Sequence, residues 1–270
     1  MIYVESKGGI GNQLYLANMA FRLQNEFSQE VKLDSSWHKR KNNREFALPD
    51  CIVSESAISI GNYWLQRQLA KDVLETDLTE FEIKSFLKQI CNSPLPRSYL
   101  LKGYFQFDSL ISQDFLSLIR FCIEKVVLKE EVVRSLHGRT LIHIRLGDFL
   151  VNPSFAPARP QYFAKALNKY DNLNGVIMTD SLEFHHLFPS LREIPILDTS
   201  KLSPFEILCL SKHVKAFIGS NSSLSRWIGY LVREYGGMYS LPVSKIGCKC
   251  CIPRALVMNY DPSIDIHTPN

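Results

Sequence analysis

The run Thr140-Leu141-Ile142-His143-Ile144 is short and almost wholly apolar, which is typical of a strand buried in a parallel sheet. Helical patterns and further apolar runs alternate after it. The predicted helices cover 160–170, 182–188, 204–212 and 222–235, and the predicted strands cover 176–178, 194–197, 214–218 and 238–241. Strands that alternate with helices predict a parallel sheet with helices on both faces. Residues 138–270 are therefore predicted to form a Rossmann-like α/β domain.

Polar residues stand where the predicted strands of this domain end. Because ligands of such sheets bind at the carboxyl ends of the strands, these residues are expected to face one crevice. They are Arg145, Asp148, Thr179, Asp180, Asp198, Ser220, Asn221 and Ser222.

The first half of the chain also opens with a strand, over 1–6, and a glycine loop, Gly8-Gly9-Ile10-Gly11, before a predicted helix over 12–27. A second strand is predicted at 31–34, and helical patterns follow near 62–75, 79–91 and 112–127. The boundary is placed near residue 137. The predicted fold class is α/β, with two Rossmann-like domains, 1–137 and 138–270, facing each other across a cleft.

The composition narrows the class of protein. The 270-residue chain is 46% hydrophobic and 21% charged, which is ordinary for a globular protein and argues against a disordered chain or a coiled coil. Its net charge of +4 comes without the basic stripe typical of nucleic-acid binders. The densest basic stretch, 38–41 with Arg44, is interpreted as a solvated loop. No nucleic-acid partner is expected.

Three features bear on the compartment. No apolar run reaches the roughly 18 residues that a transmembrane helix needs. The first residues start a strand and do not resemble a secretory leader. The seven cysteines are an odd number, so reduced thiols are the simpler expectation. Together they predict a cytoplasmic protein of bacterial type, whose association with a membrane is at most weak and peripheral at the inner membrane surface.

The glycine loop allows two interpretations from the residues alone. Gly9-Ile10-Gly11, with Asp34 at the end of the second strand, fits part of a dinucleotide fingerprint. However, Leu14 occupies the third glycine position, where it would obstruct close packing of helix on strand. A tight structural turn explains the glycines equally well.

Two segments of the second half carry candidate chemistry. His143 and Arg145 lie on one face of a strand end, where the planar guanidinium suits a pyrophosphate. The other interpretation of Arg145 and Asp148 is a structural ion pair. The segment 219–227 is a polar strand end of small residues that leads into a helix start, where hydroxyl and N–H groups can bind a phosphate or form an ordinary helix cap.

In chain order, six segments resemble those of the inverting α-1,2-fucosyltransferases, glycosyltransferase family 11. They are Gly8-Gly9-Ile10-Gly11-Asn12-Gln13-Leu14, Gly103-Tyr104-Phe105-Gln106, His143-x-Arg145-x-Gly147-Asp148, Pro160-Gln161-Tyr162-Phe163, Thr179-Asp180 and Ser220-Asn221-Ser222-Ser223-Leu224-Ser225-Arg226-Trp227. They span nearly the whole chain, and their order makes the resemblance specific. Leu224 and Arg226 stand where that family has an aromatic pair.

The resemblance implies a GT-B fold with acceptor-side residues in 1–137 and the donor, GDP-fucose, on 138–270. The implied reaction transfers L-fucose with inversion to a sugar hydroxyl. The implied acceptor is a galactoside, most favourably through its 2-hydroxyl, in a surface glycan such as an O-antigen, a capsule or lipopolysaccharide. No cofactor is implied.

The resemblance also implies roles for single residues. Arg145, Ser222 and Ser223 would bind the diphosphate, and Asp180 with Thr179 would bind the guanosine. In the glycine loop, Asn12 next to Gly11 would reach the β-phosphate or the fucose, as in the related protein O-fucosyltransferases. His143 would hydrogen-bond the donor or a sugar, and Asp148 is the candidate general base. Arg145, Asp148 and His143 form the implied catalytic set.

A metal is not expected at this site. No Asp-x-Asp pair occurs in the sequence, so cations and helix N-termini are expected to stabilise the leaving diphosphate. Cys248, Cys250 and Cys251 lack the paired spacing of structural zinc sites, so they are interpreted as a thiol-rich loop.

Three alternatives stay open. One is a fucosyltransferase with a different acceptor or linkage. The second is an NAD(P)-dependent oxidoreductase that uses Asp34, which would leave the segment around Ser222 unexplained. The third is a non-catalytic protein that binds a sugar nucleotide.

Overall fold

The computed structural model describes residues 1–41, 43–74, 85, 87–89, 98–148, 158, 160–170, 174–182, 184–242 and 266–267. The chain divides into two compact units, one covering Met1–Cys122 and the other beginning at Ile123. The expected boundary at 137 falls inside the second unit, just before the strand that begins at Thr140.

The first unit is a five-stranded parallel sheet with helices. Its strands are β1 (Ile2–Glu5), β2 (Val31–Asp34), β3 (Ser59–Gly61), β4 (Lys71–Leu74) and β5 (Tyr99–Lys102), in the order β3-β2-β1-β5-β4. Its helices are α1 (Ile10–Phe27), α2 (Asp50–Glu55) and α3 (Gln113–Glu124). The strand order reverses at β1, since the chain adds β2 and β3 on one side of it and β5 and β4 on the other.

The second unit has the same kind of sheet. Its strands are β6 (Thr140–Ile144), β7 (Gly175–Thr179), β8 (Ala216–Ile218), β9 (Met238–Pro242) and β10 (Ile266–His267), in the order β10-β9-β8-β6-β7. Only β10 runs antiparallel, along β9. The helices are α4 (Glu130–Leu136), α5 (Pro160–Leu167), α6 (Phe184–Leu187), α7 (Pro204–Cys209) and α8 (Ser223–Glu234). The predicted α/β fold class with two Rossmann-like units is confirmed.

The central strand β6 explains why this half could be predicted. All five of its residues are buried, because β7 and β8 flank it and helices cover both faces. One face packs against α5 and the segment 184–191 through aromatic and aliphatic side chains. The largest of these are Tyr162, Phe163, Phe184 and Phe188. Burial of such side chains stabilises the fold by about 1.5–3 kcal/mol each.

One predicted helix is wrong. Within the range predicted as helix, 62–75, the described residues form a 3-10 turn at Gln66–Leu69 and the strand β4. The apolar residues that produced the helical pattern face solvent, with Leu69 95% exposed, whereas Arg67 is buried. Most of the helix predicted at 79–91 lies outside the described residues. The helix predicted at 112–127 is confirmed as α3.

The expectation of reduced cysteines is also wrong for one pair. Cys51 on α2 and Cys122 on α3 form a disulfide, with their Cα atoms 5.8 Å apart. Their sequence positions are too far apart for spacing to reveal the pairing. Cys209 is a buried free thiol, while Cys91, Cys248, Cys250 and Cys251 lie outside the described residues.

Among the described helices, none combines the length and the apolar character that a membrane span requires.

Candidate functional site

The candidate site lies at the carboxyl end of β6, where the strand order of the second unit reverses. β6 is the first strand of this unit, and the chain places β7 on one side of it and β8 on the other. The loops that leave β6 and β8 diverge at such a point and leave a crevice, which is where doubly wound sheets bind ligands. Arg145 follows β6 directly, and Ser220 follows β8.

Arg145 is held by two carboxylates. Its Nη2 donates a hydrogen bond to Asp148 Oδ1 at 2.6 Å, and its Nη1 lies 2.6 Å from Asp180 Oδ2. The guanidinium is 21% exposed, so it is anchored and still reaches solvent. A planar cation in this state can exchange one carboxylate for another anion, such as a phosphate.

Asp180 organises the loop after β6. Its Oδ1 accepts backbone hydrogen bonds from Leu146 at 2.8 Å and from Gly147 at 3.2 Å. A methyl group on Gly147 would collide with this carboxylate, so glycine is required for the close approach. Both oxygens of Asp180 are therefore occupied inside the protein.

A serine cluster caps α8. Ser222 is the N-cap, and its Oγ accepts the backbone N–H of Ser225 at 3.1 Å. The Ser225 hydroxyl, which is fully buried, lies 3.1 Å from the Ser220 nitrogen, 3.1 Å from the Ser222 Oγ and 2.7 Å from His143 Nδ1. The strand end of β6 and the start of α8 are therefore joined by side chains.

His143 is neutral at physiological pH. Burial of the ring and the nearby charge of Arg145 lower its pKa from 6.5 to about 4, while Asp180 opposes the shift. His143 as a whole is 4% exposed. A neutral imidazole has one N–H donor and one acceptor nitrogen, so its tautomer decides what it can bind.

Tyr162 supports the turn after β8 by hydrogen bonding. Its hydroxyl lies 2.8 Å from the carbonyl oxygen of Gly219 and 3.0 Å from that of Ser240. Burial raises the pKa of this phenol well above its usual value, so it stays protonated and can donate. Tyr162, which belongs to the family-like segment 160–163, thus stabilises the turn that carries the serine cluster.

The glycine loop of the first unit lies at the equivalent reversal of strand order. Gly8 has a φ of +77°, and a Cβ there would lie 2.5 Å from Asn12 Nδ2. Gln106, beyond β5, donates through Nε2 to Asn12 Oδ1 at 2.7 Å. This bond directs the N–H₂ group of the Asn12 amide away from Gln106. Phe105 has a φ of +49°, which is unusual for a bulky residue and fixes the turn that carries Gln106.

The basic stretch beside this loop is exposed at Lys39, Arg40, Lys41 and Arg44, in agreement with a solvated loop. His38 differs, because its ring is half-buried and bonds to Ser6 Oγ at 3.0 Å and to the Arg44 carbonyl at 2.7 Å.

Asp34 does not have the geometry of a ribose-binding residue. It is fully buried. Its Oδ1 accepts the N–H groups of Ser36 at 3.1 Å and Tyr63 at 3.0 Å, and its Oδ2 lies 2.8 Å from Ser36 Oγ and 3.0 Å from Arg67 Nε. A carboxylate that is saturated inside the core cannot bind a ligand hydroxyl. The oxidoreductase alternative rested on the glycine loop and on Asp34, and the position of Asp34 does not support it.

The structure brings some of the predicted residues together. Arg145, Asp148 and Asp180 form one ion-paired group, and His143 joins Ser222 through Ser225. Thr179 turns its hydroxyl to the Ser181 carbonyl at 3.1 Å instead. Ser223 is the first residue of α8. Asn12 and Gly11 belong to the first unit, in the first turn of α1.

Two residues of these groups had no role in the sequence prediction. Ser225 lies inside a helix, where a serine gives no signal of a contact with a distant strand. Gln106 was visible only as the last residue of a motif. Among the described residues, no group of three or more His, Cys, Asp or Glu side chains could hold a metal ion.

No family model and no curated protein matches this chain. The chain does resemble solved structures. The crystal structure of NodZ alpha-1,6-fucosyltransferase co-crystallised with GDP superposes with a TM-score of 0.51 at 12% identity, over 88% of this chain and 93% of that chain. Fucosyltransferase NodZ from Bradyrhizobium gives 0.50, with the same identity and coverage. POFUT1 in complex with GDP-fucose gives 0.48 at 10% identity, over 87% and 94%. At 12% identity, the likeness to NodZ establishes that this chain has the fold of the GT-B fucosyltransferases.

Proposed function

We propose that this protein is an inverting glycosyltransferase that transfers L-fucose from GDP-fucose to a sugar hydroxyl without a metal ion. The observation that carries this proposal is Arg145, a partly exposed guanidinium at the reversal of strand order, next to the serine-capped start of α8. A cation and a helix N-terminus together suit a diphosphate, which gains charge as it leaves. NodZ, which shares the fold, was crystallised with GDP.

The donor site is proposed on the second unit. Arg145, Ser222 and Ser223 bind the diphosphate in this proposal. His143 hydrogen-bonds the donor. The assignment of Asp180 and Thr179 to the guanosine stays a prediction, and it requires groups other than the Asp180 oxygens that Leu146, Gly147 and Arg145 already occupy.

In the first unit, Asn12 and the adjacent Gly11 are proposed to contact the β-phosphate or the fucose. The hydrogen bond from Gln106 supports this role, because it engages the oxygen of the Asn12 amide, so the N–H₂ group is the end that can donate to a ligand. An amide held in this way donates to an anionic or hydroxyl oxygen.

The reaction follows from these assignments. The acceptor hydroxyl attacks the anomeric carbon of fucose from the side opposite the diphosphate, the bond from that carbon to the phosphate oxygen breaks, and GDP leaves with the electron pair. The hydroxyl proton passes to a base, for which Asp148 is the candidate. Asp148 is bound to Arg145 Nη2, so its basic role requires the diphosphate to replace it there.

The proposed acceptor is the 2-hydroxyl of a galactose in a surface glycan. Its support is the family-11-like order of motifs in the sequence. A different linkage is the alternative, because NodZ is an alpha-1,6-fucosyltransferase.

Calorimetric titration with GDP in the presence of a chelator tests the donor assignment. We expect binding that survives the chelator and weakens on the order of 100-fold in Arg145→Ala, because charge-assisted hydrogen bonds are lost. Arg134→Ala is the matched control, since Arg134 is a 73% exposed arginine of the same unit. Absence of GDP binding, or loss of binding with the chelator, would overturn the proposal.

A second assay separates an enzyme from a binding protein. GDP release from GDP-fucose is measured alone and with galactosides. Release that galactosides accelerate supports transfer. Binding of GDP-fucose without any release would exclude galactosides as acceptors and leave the non-catalytic protein and the fucosyltransferase with a different acceptor.

A further inference from the structure

One turn of the first unit exposes three large apolar side chains. Trp64, Leu65 and Leu69 are 47%, 72% and 95% exposed. Arg67 of the same turn is buried and pairs with Asp34, Nε to Oδ2, at 3.0 Å. Because this ion pair fixes the turn with its charged residue inward, the apolar side chains are held outward. Large apolar side chains that cluster on a surface mark contact with a partner or a membrane, whereas single ones need no explanation.

A basic segment follows the neighbouring strand β2. Its exposed cations are Lys39, Arg40, Lys41 and Arg44. Between residues 35 and 48 the sequence contains a single carboxylate, that of Glu45. The segment therefore presents an excess of positive charge to the solvent.

One buried carboxylate holds the apolar turn and the basic segment together. Asp34 Oδ2 lies 2.8 Å from the hydroxyl of Ser36, where the basic segment begins, and binds Arg67 of the turn. Its Oδ1 accepts the N–H of Tyr63, the residue before Trp64, at 3.0 Å. β2 and β3 are parallel neighbours, so the two segments leave the same end of the sheet. The apolar and the basic side chains thus form one surface, which we call the amphipathic surface.

The composition of this surface suits a bilayer with acidic lipids. Lys and Arg are attracted to anionic headgroups, tryptophan favours the boundary between headgroups and acyl chains, and leucine inserts below it. A second copy of the chain would bring like charges together, and an anionic glycan would leave the leucines in water. Only the membrane uses both halves of the surface.

We propose that the amphipathic surface binds the protein peripherally to an anionic bilayer. Trp64, Leu65 and Leu69 enter the headgroup boundary, and the basic segment lies against the acidic headgroups. This binding needs neither nucleotide nor acceptor, so it is independent of the proposed transfer of fucose.

Cosedimentation of the full-length protein with vesicles tests the proposal. Vesicles of phosphatidylcholine alone are compared with vesicles of equal parts phosphatidylcholine and phosphatidylglycerol. We expect binding to the anionic vesicles, which weakens as salt is added, and much weaker binding to the neutral ones. Equal binding to both kinds, or no binding to the anionic vesicles, would overturn the proposal.

Removal of the apolar side chains should weaken binding to the anionic vesicles about tenfold. The variant combines Trp64→Ser, Leu65→Ser and Leu69→Ser. Its matched control removes apolar side chains of nearly equal exposure elsewhere in the chain. The control combines Phe121→Ser, Leu182→Ser and Val127→Ser, at residues that are 48%, 71% and 92% exposed. An equal loss in the control would contradict the assignment of the surface.

Removal of the cations should have a larger effect, on the order of 100-fold for three of them, since each contributes through its charge near the anionic surface. The variant combines Lys39→Gln, Arg40→Gln and Lys41→Gln. The control removes the same number and kind of exposed cations from the second unit. It combines Lys165→Gln, Lys169→Gln and Arg134→Gln. If both variants lost binding equally, net charge alone would explain the attraction and the proposed surface would be wrong.

Tryptophan fluorescence examines the contact at the turn itself. Entry of an exposed tryptophan into lipid shifts its emission to shorter wavelength, whereas Trp227 is fully buried in the protein. We expect this shift in the wild type on addition of anionic vesicles. Trp64→Phe should still cosediment with the vesicles but lose the shift. A shift that persists in Trp64→Phe would overturn the proposal, and this test stands even if the triple variants do not fold.

Two further measurements separate the outcomes. Sedimentation velocity without vesicles detects self-association, and a dimer that the apolar variant abolishes, in a protein that does not bind vesicles, would assign the surface to a second copy instead. Calorimetry with GDP judges the proposed function by itself. Vesicle binding without GDP binding would leave the membrane proposal intact, and GDP binding without vesicle binding would overturn the membrane proposal alone.

Discussion

Each unit binds a strand-end carboxylate to two backbone N–H groups and an arginine, but only the arginine of the second unit reaches solvent. Asp34 ends β2, and its oxygens bind two backbone N–H groups and Arg67. Asp180 follows β7, and its oxygens bind two backbone N–H groups and Arg145. The hydrogen-bond patterns are nearly identical, but Arg67 is 6% exposed and Arg145 is 21% exposed.

The difference comes from what surrounds each pair. Glu5 pairs with Arg67 at 2.7 Å inside the first unit, where the turn at Gln66–Leu69 carries the arginine inward. The second partner of Arg145 is Asp148, whose side chain is 41% exposed. The ion pairs of Arg67 are thus shielded inside the first unit, whereas the exposure of Asp148 leaves Arg145 open to solvent, as the proposed diphosphate site requires.

The largest expected effect follows from the two arginines. Arg67→Ala should lower the free energy of unfolding by about 3–5 kcal/mol, because the buried carboxylate of Asp34 loses its counter-ion and Glu5, whose side chain is 13% exposed, loses its nearest one. Arg145→Ala should lower it by under about 1 kcal/mol, because water solvates the carboxylates that remain. Urea unfolding at pH 7 measures both. Equal losses would mean that exposure does not distinguish the two pairs.

His143 should make stability depend on pH. Its folded pKa of about 4 is below its ordinary value of 6.5, so only the unfolded chain takes up this proton between these values. Stability from this group is present above pH 6.5 and is lost as pH falls towards 4, by about 3 kcal/mol in total. We expect the free energy of unfolding, measured with urea, to fall between pH 7 and pH 4 by about 3 kcal/mol more in the wild type than in His143→Gln. The same loss in both proteins would exclude His143 as its source.

Asp180→Asn should have an intermediate effect. The amide oxygen can still accept the N–H groups of Leu146 and Gly147, but its N–H₂ group cannot pair with Arg145. We expect a loss of about 1–3 kcal/mol in the free energy of unfolding. The corresponding change, Asp34→Asn, should cost more, because Asp34 is fully buried. A larger loss for Asp180→Asn than for Asp34→Asn in urea titrations would contradict the difference in burial between the two carboxylates.

The smallest expected effect is a gain. Asp148→Asn removes the carboxylate that competes with a diphosphate for Arg145, so GDP affinity should rise about threefold, or on the order of 0.7 kcal/mol. The rate of fucose transfer should fall if Asp148 is the base. Calorimetry and initial rates measure the two quantities separately. Weaker GDP binding would mean that Asp148 orients the guanidinium instead.

Much of this architecture could be predicted from local pattern. The run Thr140–Ile144 is apolar because helices cover both faces of β6, and the glycine loop follows β1 because the backbone turns sharply there. Once the strands were in order, the position of Arg145 at a strand end followed from topology alone.

The rest depended on contacts between residues distant in sequence. The stretch around Arg67 has its apolar residues outside and its charge inside, so periodicity indicated a helix where the chain has a turn and a strand. The sequence position of Asp34 is compatible with a ribose-binding residue, but the folded chain buries it completely in the core. Ser225 meets His143 across 82 positions. No local signal encodes such a contact.

The two-residue strand β10 has a consequence for the behaviour of the protein in solution. It pairs with Leu241 and Pro242 of β9, at the outer edge of the second sheet. An uncovered edge offers its backbone groups to the edge of another molecule. A chain shortened at Pro242 would lose this cover, and it would be prone to concentration-dependent self-association and precipitation even if each molecule folded correctly.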